Sequence, residues 1–237
     1  MAVGIILTAR LCVGQTTLTV AAASDLTDLE PQLASSFGKI SAGTQIRWVT
    51  ASSAILAQQI QNGAPYDVFL SANAQYIERL NSAGKLESGS VRSYTVGRIA
   101  VLWRDSKPHP IKDLARNEIR FVALPNPKLA PYGVAAQAAL EHAGIWERVR
   151  SKVVYGENVR QTLQLFESGN ADAVITSDSL LRGRNAEVIP PEWHRPIIQK
   201  AGIVARSKNA ALARQFLDFL AGPEGQAVFA RYGFGRP

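Results

Sequence analysis

The chain has one cysteine among 237 residues, Cys12. That rules out an internal disulfide framework and a cysteine-built zinc site. It has three histidines, His109, His142 and His194. The first sits between prolines, the second at a polar helix end, the third beside Trp193, and none neighbours a candidate nucleophile. No GxSxG elbow, P-loop, GxGxxG or HExxH is present, so the common signatures of hydrolases, nucleotide enzymes and zinc proteases are missing. No stretch approaches the ~20 apolar residues of a membrane-spanning helix. No internal repeat and no low-complexity linker divides the chain.

Basic residues exceed acidic ones, 26 to 19, for a formal charge of +7. Such a balance attracts nucleic acid, an anionic surface or a small anion. The basic residues are scattered, however. The densest groups are Arg148/Arg150/Lys152 and Arg182/Arg184, and no run of five exists. This argues against nucleic acid as a partner. The opening segment, Ala2 to Ala9, is short and apolar and is broken by Arg10. It reads as the remnant of an export signal or an N-terminal extension, residues 1–15. Leu11, where a lipoprotein signal wants a small residue before its cysteine, argues against lipidation of Cys12.

A composition that is 46% hydrophobic and 19% charged supports a sizeable globular core. The pattern along the chain alternates. "TLTVAA" reads as a strand, and Leu26, Leu29, Leu33 and Phe37 follow at helical spacing, with Pro31 fitting the first turn. "TQIRWV", "YDVFLSA", "GRIAVLWR", "IRFVALP", "KVVYG", "DAVITS" and "IIQKAGIVARS" read as further strands. Most are followed by helices, among them "GVAAQAALEHAG" and "NVRQTLQLFESGN". The chain closes on "AALARQFLDFLAG" and a short helix through "GQAVFARYGF". The class is therefore α/β with largely parallel sheets, and ligands in such sheets sit beyond the carboxyl ends of the strands.

Four strand-to-helix turns carry small or polar residues: "AAASD" (21–25), "TASSA" (50–54), "PKLAPYG" (127–133) and "GENVRQ" (156–161). A helix N-terminus offers free N–H donors and about half a positive charge. Each serine alone reads as a cap; several such turns converging would hold an oxyanion without any lysine or arginine. Asp25 would repel that anion if it pointed inward, so its side chain is expected to cap or to face solvent. A serine-dependent hydrolase using Ser53 is the alternative of another class. It needs a base beside Ser53. No closely spaced carboxylate pair suggests acid–base chemistry, and no enzyme is expected.

"LTVAAASDL", "ASSAILAQQIQNGAPYDVFLSA", "NPKLAPYGVAA", "ENVRQTLQL" and "FARYGF" together resemble the periplasmic molybdate-binding proteins of molybdate ABC transporters, of the type II periplasmic binding protein family. The resemblance runs from about Thr17 to the end. It implies a two-lobed periplasmic binding protein fold with mixed, mostly parallel sheets and a ligand cleft between lobes. Lobe one would be 16–96 plus 201–237, and lobe two 97–200. It further implies an exported, periplasmic, monomeric solute-binding protein that captures molybdate or tungstate and delivers it to a membrane ABC permease. No cofactor is implied, and no metal other than the molybdenum of the bound oxyanion. Carried over residue by residue, Ser24 and Ser53 would each give a hydroxyl and a backbone N–H, and Tyr132 and Val159 backbone N–H groups. Ser52 would cap. Many relatives add a tyrosine hydroxyl where this chain has Ile175; Thr176 or Ser177 would have to replace it. Another oxyanion such as sulfate or phosphate is the alternative ligand.

Overall fold

The computed structural model describes residues 16–237. The N-terminal export segment expected over 1–15, with Cys12, lies outside the described residues.

Among the described residues, ten strands form two five-stranded sheets. They are β1 (Thr16–Ala23), β2 (Thr44–Ala51), β3 (Val68–Ser71), β4 (Arg92–Gly97), β5 (Ile99–Trp103), β6 (Val122–Pro125), β7 (Val153–Gly156), β8 (Ala173–Ser177), β9 (Glu187–Val188) and β10 (Ile197–Ile203). The helices that matter here are α1 (Glu30–Ile40), α2 (Ser53–Gln61), α3 (Ala74–Ser82), α4 (Pro131–His142), α5 (Trp146–Val149), α6 (Val159–Glu167), α7 (Ala210–Ala221) and α8 (Pro223–Arg231). The first sheet runs β2-β1-β3-β10-β4 and the second β7-β6-β8-β5-β9. The chain crosses from one to the other between Gly97 and Ile99, and returns just before Ile197.

The sheets hold more antiparallel pairing than the alternation of strands and helices implies. β1 pairs in parallel with β2 and β3, and β6 with β7 and β8. β10 runs antiparallel to β3 and β4, and β5 to β8 and β9. The reason is topological. A strand that has crossed between lobes arrives without the helical crossover that parallel pairing requires. The sequence reading places one strand here, "GRIAVLWR", and assigns none to β4; the structure adds β4 just before it, with only Arg98 between the two.

Burial follows the sheets. β1, β3, β5, β6 and β8 read as apolar runs because helices cover both faces. In the first lobe Leu29, Leu33 and Phe37 meet Phe216, Leu217 and Leu220 of α7 on one face, while Leu56, Ile60, Ile77 and Leu80 of α2 and α3 cover the other. In the second lobe Ala135, Ala136, Ala139 and Leu140 of α4 pack with Leu163 and Phe166 of α6 around Leu124, Val174 and Ile175. Leu26 and Leu29 lie in a 3-10 turn, Ser24–Leu29, that precedes α1 rather than extending it. Pro31 sits in the first turn of α1, where its missing N–H costs nothing.

Candidate functional site

The carboxyl ends of β1, β2 and β3 face those of β6 and β7 across a small cavity. Ser24, Asp25, Ser52, Ser53 and Ala72 wall it from the first lobe, and Ala130, Pro131, Tyr132, Asn158 and Val159 from the second. All four residues expected at the site, Ser24, Ser53, Tyr132 and Val159, are therefore brought to one place. The cavity volume is about 10 Å³, far below the ~300–1,000 Å³ of pockets for organic ligands. No lysine, arginine or histidine is in its wall.

Each wall position has a local cause. Ser52 is the N-cap of α2, and its Oγ accepts from the Ile55 N–H at 3.4 Å. Ser53 follows as the first helical residue, so its N–H has no partner within the helix. Its Oγ accepts from the Ala72 N–H at 3.0 Å. That bond uses a lone pair and leaves the hydroxyl proton free to be donated. Ser24 opens the 3-10 turn, and its carbonyl accepts from Thr27 Oγ1 at 2.8 Å. Tyr132 is in the first turn of α4, with Pro131 before it. Gly133 lets that turn press on β6: a Cβ there would lie 2.1 Å from the Pro125 carbonyl oxygen. Val159 opens α6 behind Asn158, whose Oδ1 accepts from the Gln161 N–H at 2.9 Å. Thr176 Oγ1 donates to the Val159 carbonyl at 3.0 Å, bracing the turn from below.

Neither hydroxyl considered as a substitute for the missing tyrosine lies in the wall. Thr176 is committed to Val159. Ser177 Oγ shares a hydrogen bond with Ser179 Oγ at 2.8 Å. Ile175 is fully buried in the second-lobe core.

Asp25 overturns the expectation that it caps or faces solvent. It is 1% exposed and part of the cavity wall. Tyr132 Oη donates to its Oδ2 at 2.6 Å, and Gln199 Nε2 donates to the same oxygen. Gln199 Nε2 also lies 3.0 Å from Tyr132 Oη, and Tyr94 Oη donates to Gln199 Oε1 at 2.5 Å. Ser179 Oγ donates to the Asp25 carbonyl at 2.6 Å. The turn is thus held inward by groups from β4, β10, α4 and the 178–181 turn. Asp25 Oδ1 is buried and has no partner. Burial pushes the Asp25 carboxyl up to about 6, against the opposing pull of the Tyr132 and Gln199 hydrogen bonds. Burial, and then the charge of Asp25, hold the Tyr94 and Tyr132 hydroxyls well above their usual range.

The hydrolase alternative requires a base beside Ser53, and the histidines are elsewhere. His109 pairs with Asp105 at 2.8 Å, His142 stacks on Trp193, and His194 Nδ1 lies 2.8 Å from the Arg195 carbonyl oxygen. Among the described residues, no group of three or more His, Cys, Asp or Glu side chains is placed to hold a metal ion. No described helix is long and apolar enough to cross a membrane.

Residues 18–235 match the family described as bacterial extracellular solute-binding protein. The molybdate-binding protein ModA of Azotobacter vinelandii is 34% identical over 91% of this chain and 88% of its own. That of Rhodobacter capsulatus is 30% identical over 81% and 78%. The solved structure of the Azotobacter vinelandii periplasmic molybdate-binding protein superposes with a TM-score of 0.85 at 31% identity, covering 93% of this chain and 99% of that one. A match across nearly the whole described chain, in a family of carriers and not of catalysts, accords with a two-lobed cleft walled by helix N-termini: the chain belongs to the bacterial extracellular solute-binding proteins.

Proposed function

We propose that this chain captures a molybdate or tungstate dianion between its lobes and delivers it to a membrane ABC permease from the periplasmic side. The observation that carries this reading is the convergence of Ser24, Ser53, Tyr132 and Val159 on a buried cavity free of basic side chains. Two hydroxyls and four backbone N–H groups are available from these positions. A dianion leaving water needs donors for most of its oxygens. Helix N-termini supply them with fixed dipoles, at no cost in bringing a flexible cation to the site. The relatives named above are called molybdate-binding. Sulfate and phosphate carry similar charge on smaller frames. A pocket held by caps and cross-lobe bonds selects against an anion too small to reach both walls at once.

Lobe one is taken as 16–96 plus 201–237 and lobe two as 97–200. β10 straddles the second boundary, since Ile197 already pairs with Gly97. Both walls come from one chain, so a monomer suffices. The bound anion bridges the lobes and favours the closed form, which is the form the permease would read.

The test is isothermal titration of ligand-stripped protein with molybdate and tungstate, each with and without excess sulfate or phosphate. One-to-one binding that neither competitor displaces supports the reading. Binding of sulfate or phosphate in preference transfers the role to another oxyanion. No binding of any of the four overturns it.

A further inference from the structure

Asp25 is one of the residues that wall the cavity proposed to hold an anion. Its two oxygens differ. Oδ2 accepts from both Tyr132 Oη and Gln199 Nε2. Oδ1 is buried and unpartnered. An unpartnered buried polar atom is costly and calls for a reason. An ionised Oδ1 beside a dianion would repel it in a site where water screens little. A proton changes the sign of that interaction. It cannot sit on Oδ2 without displacing a donor already there, so Oδ1 is the place for it.

We propose that Asp25 is a specificity-determining residue that holds the dianion as a neutral carboxylic acid, donating from Oδ1–H to an anion oxygen, so that binding takes up one proton from solvent. No covalent bond breaks; the solvent proton adds to Oδ1, and the complex carries one negative charge less than its separated parts. This rests on the anion reading of the cavity and adds a proton to its stoichiometry.

The groups around Asp25 fit the role. Tyr132 from α4 and Tyr94 from β4 stay protonated at any ordinary pH. Gln199 from β10 carries no charge. Asp28, on the same turn, is engaged by Arg160 of α6 at 3.3 Å, and Glu30 of α1 by Thr50. Asp178, from the turn packed against it, faces Arg182 at 3.8 Å. The empty carboxyl titrates near 6. At neutral pH and above it is therefore mostly ionised, and binding must draw the proton in.

The experiment is titration of the full chain with molybdate at about pH 8 in two buffers of different ionisation enthalpy, repeated over about pH 6 to 9. The expected result is uptake of about one proton per anion and a Kd that rises about tenfold per pH unit above the carboxyl pKa. In Asp25→Asn the amide oxygen takes over the Oδ2 bonds and the NH₂ replaces Oδ1–H, so uptake vanishes and Kd becomes flat with pH. Asp25→Ala gives the same flat profile with weaker binding. The wild-type measurement needs no variant to fold. Molybdate binding without proton uptake, or uptake that persists in Asp25→Asn, overturns the inference and leaves the transport reading standing. No binding of molybdate, tungstate, sulfate or phosphate at any pH overturns both.

Discussion

Ser52 and Ser53 are adjacent serines with different duties, and single substitutions separate them. Ser52 accepts from a helix N–H at the long distance of 3.4 Å. Ser52→Ala should cost about 0.5–1 kcal/mol of stability, the low end for a lost cap, and change anion affinity little. Ser53→Ala keeps the helix start but removes a hydroxyl donor from the cavity. A hydrogen bond to a charged group contributes about 1.5–3 kcal/mol, so molybdate Kd should rise ten- to a hundredfold. The buried Ala72 N–H also loses its acceptor, so Tm should fall with a stability loss of about 1–3 kcal/mol. Equal effects of the two changes on binding would contradict the division. Asp25 supplies a stability prediction of its own. Its folded pKa of about 6 lies above the ordinary carboxylate value of 3.8, so the folded state binds the proton more tightly than the unfolded one. The stability this confers is full below about pH 4 and is lost as pH rises through about 6, a difference of up to about 3 kcal/mol. Asp25→Asn should therefore melt higher than wild type at pH 8, with the gain shrinking towards pH 4. The turns that hold Ser24, Ser53, Tyr132 and Val159 were legible in sequence because a strand end, a small residue and a helix start are local features; the choice of those four residues came from the family resemblance. The direction of Asp25 was not legible. It is set by Tyr132 and Gln199, 107 and 174 residues away.

Helix starts wall the cavity, so the elements themselves are its scaffold. α2, α4 and α6 each begin at the cavity for a different sequence reason: a serine cap, a proline in the first turn, and an asparagine cap. These signals were readable, as was β6 before α4, whose apolar run matches burial on both faces; β2 and β7, before α2 and α6, are edge strands and only partly buried. β4 was not readable, because its division from β5 depends on two sheets that the pair joins. Asn158→Ala should unseat the first turn of α6, costing about 1 kcal/mol of stability. It should also weaken binding through the Val159 N–H, although Asn158 needs to make no contact with the anion. Chemical denaturation and titration of the same preparation would show both losses. A stability loss with unchanged Kd would mean that Thr176, which braces the Val159 carbonyl, is enough to hold the turn.

For one ion to bridge both walls, as proposed above, the whole molecule must bring the two sheets close together. Several contacts cross the gap: Tyr132 to Asp25, Gln199 to Tyr132, Ser179 to the Asp25 carbonyl, and Arg160 to Asp28 at the rim. The rim pair is partly exposed and contributes little, under about 1 kcal/mol; the buried bonds decide the approach. Gly97 is where this becomes testable. It ends β4, at the crossing into the second lobe. A Cβ there would stand 2.2 Å from Tyr132 Oη and 3.2 Å from Gln199 Nε2. Tyr132 is fully buried and cannot swing aside without leaving Asp25 Oδ2 short of a donor, and the first turn of α4 would shift with it. Gly97→Ala should therefore hold the lobes apart rather than unfold either sheet. Small-angle scattering of the empty variant should give a larger radius of gyration than wild type. Molybdate should bind more than tenfold more weakly, since part of the binding energy now goes into closure. Combining the change with Tyr132→Phe, which removes the oxygen that the Cβ meets, should recover part of the compaction. A single Gly97→Ala variant as compact as wild type, with unchanged Kd, would show that the lobes close without the Tyr132–Gln199 contact beneath the site.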